Sequence, residues 1–345
     1  MAAEHLDYWF STSAPQLQYF VGYTGSNGLL LLSRKSAEFF TDGRYREQAK
    51  KEVRGAKIEI VPGDLIANLP KIPALDNGRP RVGVETALIT EKTGKRLRDL
   101  LPRALFVTLD DFVSPLMEIK DAGEVASIRR AAKIAENALT GTLPLVKPGV
   151  RERDLAAELE YRMTKAGSER PAFESIVASG YRSALPHGRA SDKKVQKGDF
   201  ITFDFGATID GYVSDITRTV VVGKATARQK KVYNLVFKSH QAAIAKARPG
   251  VKCADLDKVA RGIISRAGYA KEFDHSLGHG IGLVIHEAPA LSSRSQAVLR
   301  SGMVVTIEPG IYIAGWGGVR IEDDILIRPG KAQIITTFER RLIEL

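Results

Sequence analysis

The chain reads as an α+β protein: a small α/β N-terminal domain followed by a larger domain with internal pseudo-two-fold symmetry. Three observations predict this. Short apolar strands alternate with helical patterns over residues 1–114. A capped amphipathic helix opens the remainder, residues 115–345. Within that remainder, one pattern of turn, helix and glycine stop recurs at an offset of 101 residues. A length of 345 residues suffices for two cores, since domains cluster near about 100 to 150 residues.

In chain order, strands are expected at Gly28 to Leu32, Glu38 to Thr41, Lys57 to Val61, Arg81 to Val84 and Leu105 to Leu109. Helices are expected over Arg44 to Val53 and Thr90 to Leu100. Val113-Ser114-Pro115 marks the boundary between domains. Asp121-Ala122-Gly123-Glu124 has the spacing of a capping box and starts a helix running to about Thr140. Pro148-Gly149-Val150 then recurs as Pro249-Gly250-Val251, Asp154-Leu155 as Asp255-Leu256, and Ala166-Gly167 as Ala267-Gly268. Each copy predicts a tight turn, a helix beginning near the Asp and a glycine stop, followed by strand-rich and glycine-rich sequence. So long a period implies duplication within one domain rather than a solenoid, with a site between the halves.

Composition is that of an ordinary globular protein, 44% hydrophobic and 26% charged, and no apolar run is long enough to span a bilayer. The first residues, Met1 to Pro15, hold an acid and a histidine where a secretory signal has basic residues, so a cytoplasmic protein is expected. The single cysteine, Cys253, excludes an intrachain disulfide and a cysteine-rich metal site; it is expected as a small buried residue. A net charge of +11 raises nucleic acid as a partner, but acids interleave with the basic residues and no run of five like charges occurs. A mildly basic solvated surface is the reading adopted, with neither nucleic acid nor membrane as partner.

The segment Asp204-Phe205-Gly206-Ala207-Thr208-Ile209-Asp210-Gly211-Tyr212-Val213-Ser214-Asp215 predicts a hairpin turning at Asp210-Gly211. With a two-residue turn, Asp215 faces Gly206, and Asp204 shares that face about 5 to 8 Å from Asp215. Two ionised carboxylates about 5 Å apart repel by about 3 kcal/mol at an effective dielectric of about 20. A cation between them would turn repulsion into attraction, and Gly206 would leave room for it; a pair of solvated acids is the other reading. The pairing depends on register, because a three-residue loop would rotate Asp215 to the opposite face.

Other segments add ligands. Glu308 sits at the exit of the strand-like run Met303 to Ile307. Alternation along Val319 to Ile327 puts Ile321, Ile325 and Ile327 on one face and Arg320, Glu322 and Asp324 on the other, with Asp323 expected near a sheet edge. Asp274 to Glu287 holds His275, His279 and His286 among glycines that imply a closely approached backbone. His5 and His240 carry no functional reading, the second being expected on a helix face. One histidine with four carboxylates suits Mn²⁺, Co²⁺, Zn²⁺ or Fe²⁺, and the excess negative charge suggests two ions sharing bridging carboxylates.

In order, Asp204, Asp215, His279, Glu308 and Glu322 resemble the five-ligand signature of the pita-bread metallopeptidases, in particular the branch of Xaa-Pro aminopeptidase and prolidase (Xaa-Pro dipeptidase). The resemblance spans nearly the whole chain. It includes Tyr23 to Gly28 and Thr41 to Tyr45 of a creatinase-like N-terminal domain, Pro186-His187-Gly188, Gly278 to Gly282, His286 to Pro289, Glu308-Pro309-Gly310 and Arg320 to Asp323. It implies a creatinase-like domain over residues 1–114 and a pita-bread catalytic domain over 115–345. It further implies two divalent ions, Mn²⁺ ahead of Co²⁺ or Zn²⁺, with Asp204 on one, His279 and Glu308 on the other, and Asp215 and Glu322 bridging both.

The activity implied is hydrolysis of the bond between an N-terminal residue and proline by a metal-bridging hydroxide, with short peptides as substrates and a homodimer as the assembly. On this resemblance Glu308 relays the proton of the attacking water, and His187 and His286 polarise the scissile carbonyl. His275 serves proton transfer or orientation, and Arg320 holds Glu322 and nearby carboxylates. Tyr312 is either a site residue or a half-buried strand aromatic. The chain starts close to the first expected strand, so a leading helix of the N-terminal domain is expected to be shortened. Two alternatives stand beside this reading: a non-catalytic pita-bread protein acting as a binding module, and creatinase-like hydrolysis of small amidino substrates, which retention of all five ligands disfavours.

Overall fold

Six strands build one mixed sheet from the first part of the chain. The computed structural model describes residues 1, 4–72, 75 and 78–345, which divide into two units, residues 1–115 and 116–345. In the first unit β1 (Tyr8–Ser11), β2 (Leu29–Ser33), β3 (Ala37–Thr41), β4 (Lys57–Ile60), β5 (Arg81–Glu85) and β6 (Leu105–Leu109) take the order β4-β3-β2-β1-β5-β6. Five of these strands are those expected. The central β1 and the helix Ala14–Val21 are additions. Tyr8–Ser11 is four residues long and gives too short a run for alternation to register. The helix carries its own signals, Pro15 at its start and Gly22 at its end with φ of 75°. The helix expected from Arg44 starts instead as a 3-10 turn, Gly43–Tyr45, because the Asp42 carboxylate accepts Arg44 N–H and caps it; the α-helix runs Arg46–Glu52.

The second unit contains the duplicated pattern. The helices Glu152–Lys165 and Cys253–Arg266 have residue numbers that differ by 101 at both ends. Each follows a left-handed glycine, Gly149 and Gly250, and each is followed by another, Gly167 and Gly268. The longer helices preceding them are Ala122–Thr142, whose Asp121 and Glu124 form the capping box, and Ala227–Lys246, boxed by Thr226 and Gln229. The first helix pair shares a core with β7 (Ile176–Ser179), β8 (Phe200–Phe205) and β11 (Ile216–Val221), as in Leu159, Met163, Val177, Phe203 and Ile216. The second shares a core with β14 (Val304–Ile307) and β17 (Asp323–Leu326), as in Val236, Leu256, Val305 and Ile325. None of the described helices is long and apolar enough to cross a membrane.

The hairpin uses the two-residue turn. In β9 (Thr208–Ile209) and β10 (Tyr212–Val213), Tyr212 faces Ile209 and Val213 faces Thr208, with Asp210 and Gly211 both at positive φ. The same register continues between β8 and β11, where Thr217 faces Asp204. Gly206 corrects the expectation of room for a cation. A Cβ there would lie 1.8 Å from the Ser214 carbonyl oxygen, so glycine is required by close backbone approach, not by a ligand.

Asp323 lies one strand in from a sheet edge, on β17 between β14 and the short edge strand β18 (Gln333–Ile334), yet it is fully buried. Its carboxylate pairs with Arg218 at 2.8 Å and with Arg340, and His240 Nε2 lies 3.2 Å away. His240 lies on the Ala227–Lys246 helix, as expected, on its buried face. Two guanidinium counter-charges, Arg218 and Arg340, make the burial of this acid tolerable, and burial keeps the nearby His240 neutral. Cys253 is buried, as expected, and burial raises its thiol to about 11.

Candidate metal centre

Short interrupted strands deliver the candidate ligands to one place. Asp204 lies on β8, and Asp215 in the gap between β10 and β11, where its N–H donates to Asp324 Oδ2 at 3.0 Å. His279 is the middle residue of β12 (Gly278–Gly280). Its flanking glycines are forced, since a Cβ at Gly278 would lie 2.1 Å from the Thr306 carbonyl oxygen and one at Gly280 2.2 Å from that of Ala288. Glu308 directly follows β14, and Glu322 sits between β16 (Gly317–Arg320) and β17, its N–H donating to the Thr217 carbonyl at 3.1 Å. These five, with His187, His275, His286 and Arg320, line one cavity of about 490 Å³.

Asp215, His279 and Glu322 each offer a ligand atom, all within 4.8 Å of one another. His279 shows what the cluster lacks. Its Nδ1 is 3.1 Å from the Gly280 carbonyl, which can only accept, so the proton is on Nδ1 and the Nε2 lone pair is free. That lone pair faces Glu308 Oε1 at 3.4 Å and Asp215 Oδ2 at 3.7 Å. Protonating Nε2 would relieve the conflict, but burial, followed by the nearby His286, lowers this imidazole to about 4. Asp215 Oδ1 and Glu322 Oε1 are buried without a hydrogen-bond partner among the described residues. Burial, then repulsion from neighbouring acids, raises both carboxyls, and burial raises Glu308 to about 8. Acceptors facing acceptors around unpartnered oxygens fit a divalent cation, and the one-nitrogen, oxygen-rich set matches that chemistry.

Asp204 lies outside the tight triplet, and its carboxylate pairs with Arg320. Arg320 Nη2 donates to Asp204 Oδ2 at 2.5 Å, Nε to Thr217 Oγ1 at 3.1 Å and Nη1 to the Tyr312 hydroxyl at 2.7 Å. The expected grip on Glu322 is thus indirect: Thr217 Oγ1 donates to Glu322 Oε2 at 2.6 Å. His275 Nδ1 donates to the Ser276 carbonyl at 2.7 Å, so Nε2 accepts from Tyr312 O–H at 2.9 Å. Burial, then Arg320, lowers His275 to about 4, consistent with that neutral tautomer. Burial raises Tyr312 to about 12.

His187 and His286 are exposed on the cavity wall, the His286 ring 4.5 Å edge-on from that of His279. Thr217, Thr306 and Asp324 escaped the sequence analysis as site residues. Thr306 Oγ1 accepts His279 N–H at 3.1 Å and lies 3.3 Å from Glu308 Oε1. Only Asp324 left a signal, its position on the same strand face as Glu322.

A pseudo-duplicated α+β fold with a buried acid-and-histidine cluster in an open cavity defines a metal-binding hydrolase. Residues 126–329 match metallopeptidase family M24, and residues 1–116 match the creatinase/prolidase N-terminal domain. The chain belongs to metallopeptidase family M24, with a creatinase-type N-terminal domain and a pita-bread catalytic domain. It is 39% identical to a Xaa-Pro dipeptidase of Pyrococcus horikoshii over 95% of this chain and 92% of that one. Its fold matches a Xaa-Pro dipeptidase from Bacillus anthracis at a TM-score of 0.96 and 40% identity, covering 100% of this chain and 96% of the other. An X-Pro aminopeptidase from Thermotoga maritima matches at a TM-score of 0.92 and 39% identity, covering 99% and 98%. Each of these relatives is named for a peptidase activity, which gives the binding-module alternative no support.

Proposed function

We propose that this protein hydrolyses the peptide bond between an N-terminal residue and a following proline, using two divalent ions held by Asp204, Asp215, His279, Glu308 and Glu322. The observation that carries the reading is the His279 Nε2 lone pair facing carboxylates, with Asp215 Oδ1 and Glu322 Oε1 unpartnered among the described residues, inside a cavity of about 490 Å³. The substrate class is supported by the Xaa-Pro peptidases to which the chain is similar. Mn²⁺ is the first choice of ion, ahead of Co²⁺ or Zn²⁺. The catalytic domain is taken as residues 115–345 and the creatinase-like domain as 1–114, in a cytoplasmic homodimer.

Divalent ions bound there supply Lewis acidity to the water nucleophile and the scissile carbonyl. The side chains do the rest. Glu308 accepts the proton that the attacking water releases and passes it to the departing proline nitrogen. His187 and His286 donate to the carbonyl oxygen as negative charge develops on it, the kind of help that contributes about 3 kcal/mol per donor. Arg320 fixes Asp204 directly and Glu322 through Thr217, while His275 holds the Tyr312 hydroxyl that Arg320 also engages.

Turnover of a Xaa-Pro dipeptide and a Xaa-Pro tripeptide after Mn²⁺ loading tests the reading. Hydrolysis of either at the bond before proline supports it, and their ratio separates dipeptidase from aminopeptidase. Inactivity on both contradicts it.

A further inference from the structure

Among the described residues no hydrogen bond reaches the His187 ring, so its place on the cavity wall is set by the loop that carries it. That loop leaves β7 at Ser179 and ends at Ser191. The strand that launches it is in register with the metal strand, Ile176 facing Asp204. Both ends of the loop are held by one carboxylate, Glu152, at the start of the Glu152–Lys165 helix. Glu152 Oε1 accepts Ser179 N–H at 2.7 Å and Ser179 Oγ–H at 2.9 Å. Its Oε2 accepts Ser191 Oγ–H at 2.6 Å, Ser191 N–H at 3.1 Å and Arg182 Nε–H at 3.0 Å. Arg182 Nη2 also donates to the Arg189 carbonyl at 2.5 Å, closing the loop across its middle. Glu152 is fully buried and does not line the cavity.

We infer that Glu152 is a positioning residue for the reaction: each carboxylate oxygen anchors one end of the His187 loop and so sets the imidazole against the scissile bond. The inference rests on the proposed contact between His187 and the carbonyl. Five donors converge on a single acid, and only an ionised carboxylate has acceptor capacity on both oxygens for all of them. A glutamine there would turn its NH₂ group toward donors at one end, releasing that end while the other stays tied. A displacement of about 1 Å in a group that acts on the transition state can lower the rate on the order of a hundredfold.

The test is a double-mutant cycle on the Mn²⁺-loaded enzyme with a Xaa-Pro dipeptide, using Glu152→Gln, His187→Ala and the pair, with bound metal measured in each. Glu152→Gln is expected to lower kcat by roughly tenfold to a hundredfold, with KM changed less and bound metal unchanged. In the His187→Ala background the same change is expected to cost less than about twofold. Tryptic cleavage after Arg182 and Arg189 should also be faster in Glu152→Gln, a readout independent of activity. Multiplicative losses in the pair, loss of metal, or full kcat with intact helicity would overturn the inference. Full activity of His187→Ala alone would instead remove the proposed role of His187. If Glu152→Gln does not fold, Ser191→Ala, which removes the 2.6 Å bond, takes its place in the same cycle with a smaller expected fall.

Discussion

His279 Nε2 stands 3.4 Å from Glu308 Oε1 while its Nδ1 proton is committed to the Gly280 carbonyl, so an acceptor faces an acceptor. In His279→Ala the cluster loses the one nitrogen among the five proposed ligands, and an outer-sphere partner alone is typically worth 10- to 100-fold. Bound metal and kcat/KM are both expected to fall, kcat/KM by more than roughly a hundredfold. Unchanged metal content in the variant would remove His279 from the ligand set.

The buried acids predict how metal binding depends on pH. In the metal-free protein burial, then repulsion among neighbours, raises Asp215 and Glu322, and burial raises Glu308 to about 8. An acid with a raised folded pKa ionises more readily in the unfolded chain. Its stabilisation is therefore complete below about pH 4, the unfolded value, and is lost as pH rises through the folded value. A divalent cation reverses the loss by favouring the ionised forms. The gain in Tm on adding Mn²⁺ should be larger at about pH 8 than at about pH 5. Equal gains in thermal melts would contradict this.

Thr217 links the arginine to a candidate ligand, accepting from Arg320 Nε and donating to Glu322 Oε2. Thr217→Val keeps the shape and removes both bonds. A fall of roughly tenfold in kcat/KM, with weaker Mn²⁺ binding by titration, is expected. A variant with both unchanged would show that Glu322 is positioned without it.

Asp323 is a stability hub rather than a site residue. Asp323→Ala leaves Arg218, 1% exposed, and His240 buried without their acid. Losing one partner of such a network typically costs about 3 to 5 kcal/mol, measurable as a lower urea midpoint. A loss below about 1 kcal/mol would mean that Arg218's bonds to backbone carbonyls suffice.

Much of this was legible because it is local or periodic. The Asp210-Gly211 turn fixes the register that brings Asp204 opposite Thr217, and the Pro-Gly-Val repeat marks both helix pairs. What escaped lies in contacts between distant segments. The burial of Asp323 leaves no sequence signal because the residues around it, Arg218, His240 and Arg340, come from distant parts of the chain. Gly206 looked like space for an ion because the crossing Ser214 carbonyl leaves no trace in alternation. The resemblance implies that Arg320 holds Glu322 and nearby carboxylates; it holds Asp204 directly and reaches Glu322 only through Thr217, a relay between distant segments that no motif marks. The five-donor grip of Glu152 joins residues up to 39 apart and carries no motif.

The most direct measurement is the divalent metal content of protein purified without chelator, beside Asp215→Asn treated identically. About two equivalents per chain in the native protein and little in the variant are expected, since Asp215 Oδ1 is buried without a partner among the described residues. Native protein that carries no metal, takes up none from Mn²⁺ solution and still cleaves a Xaa-Pro dipeptide would contradict it.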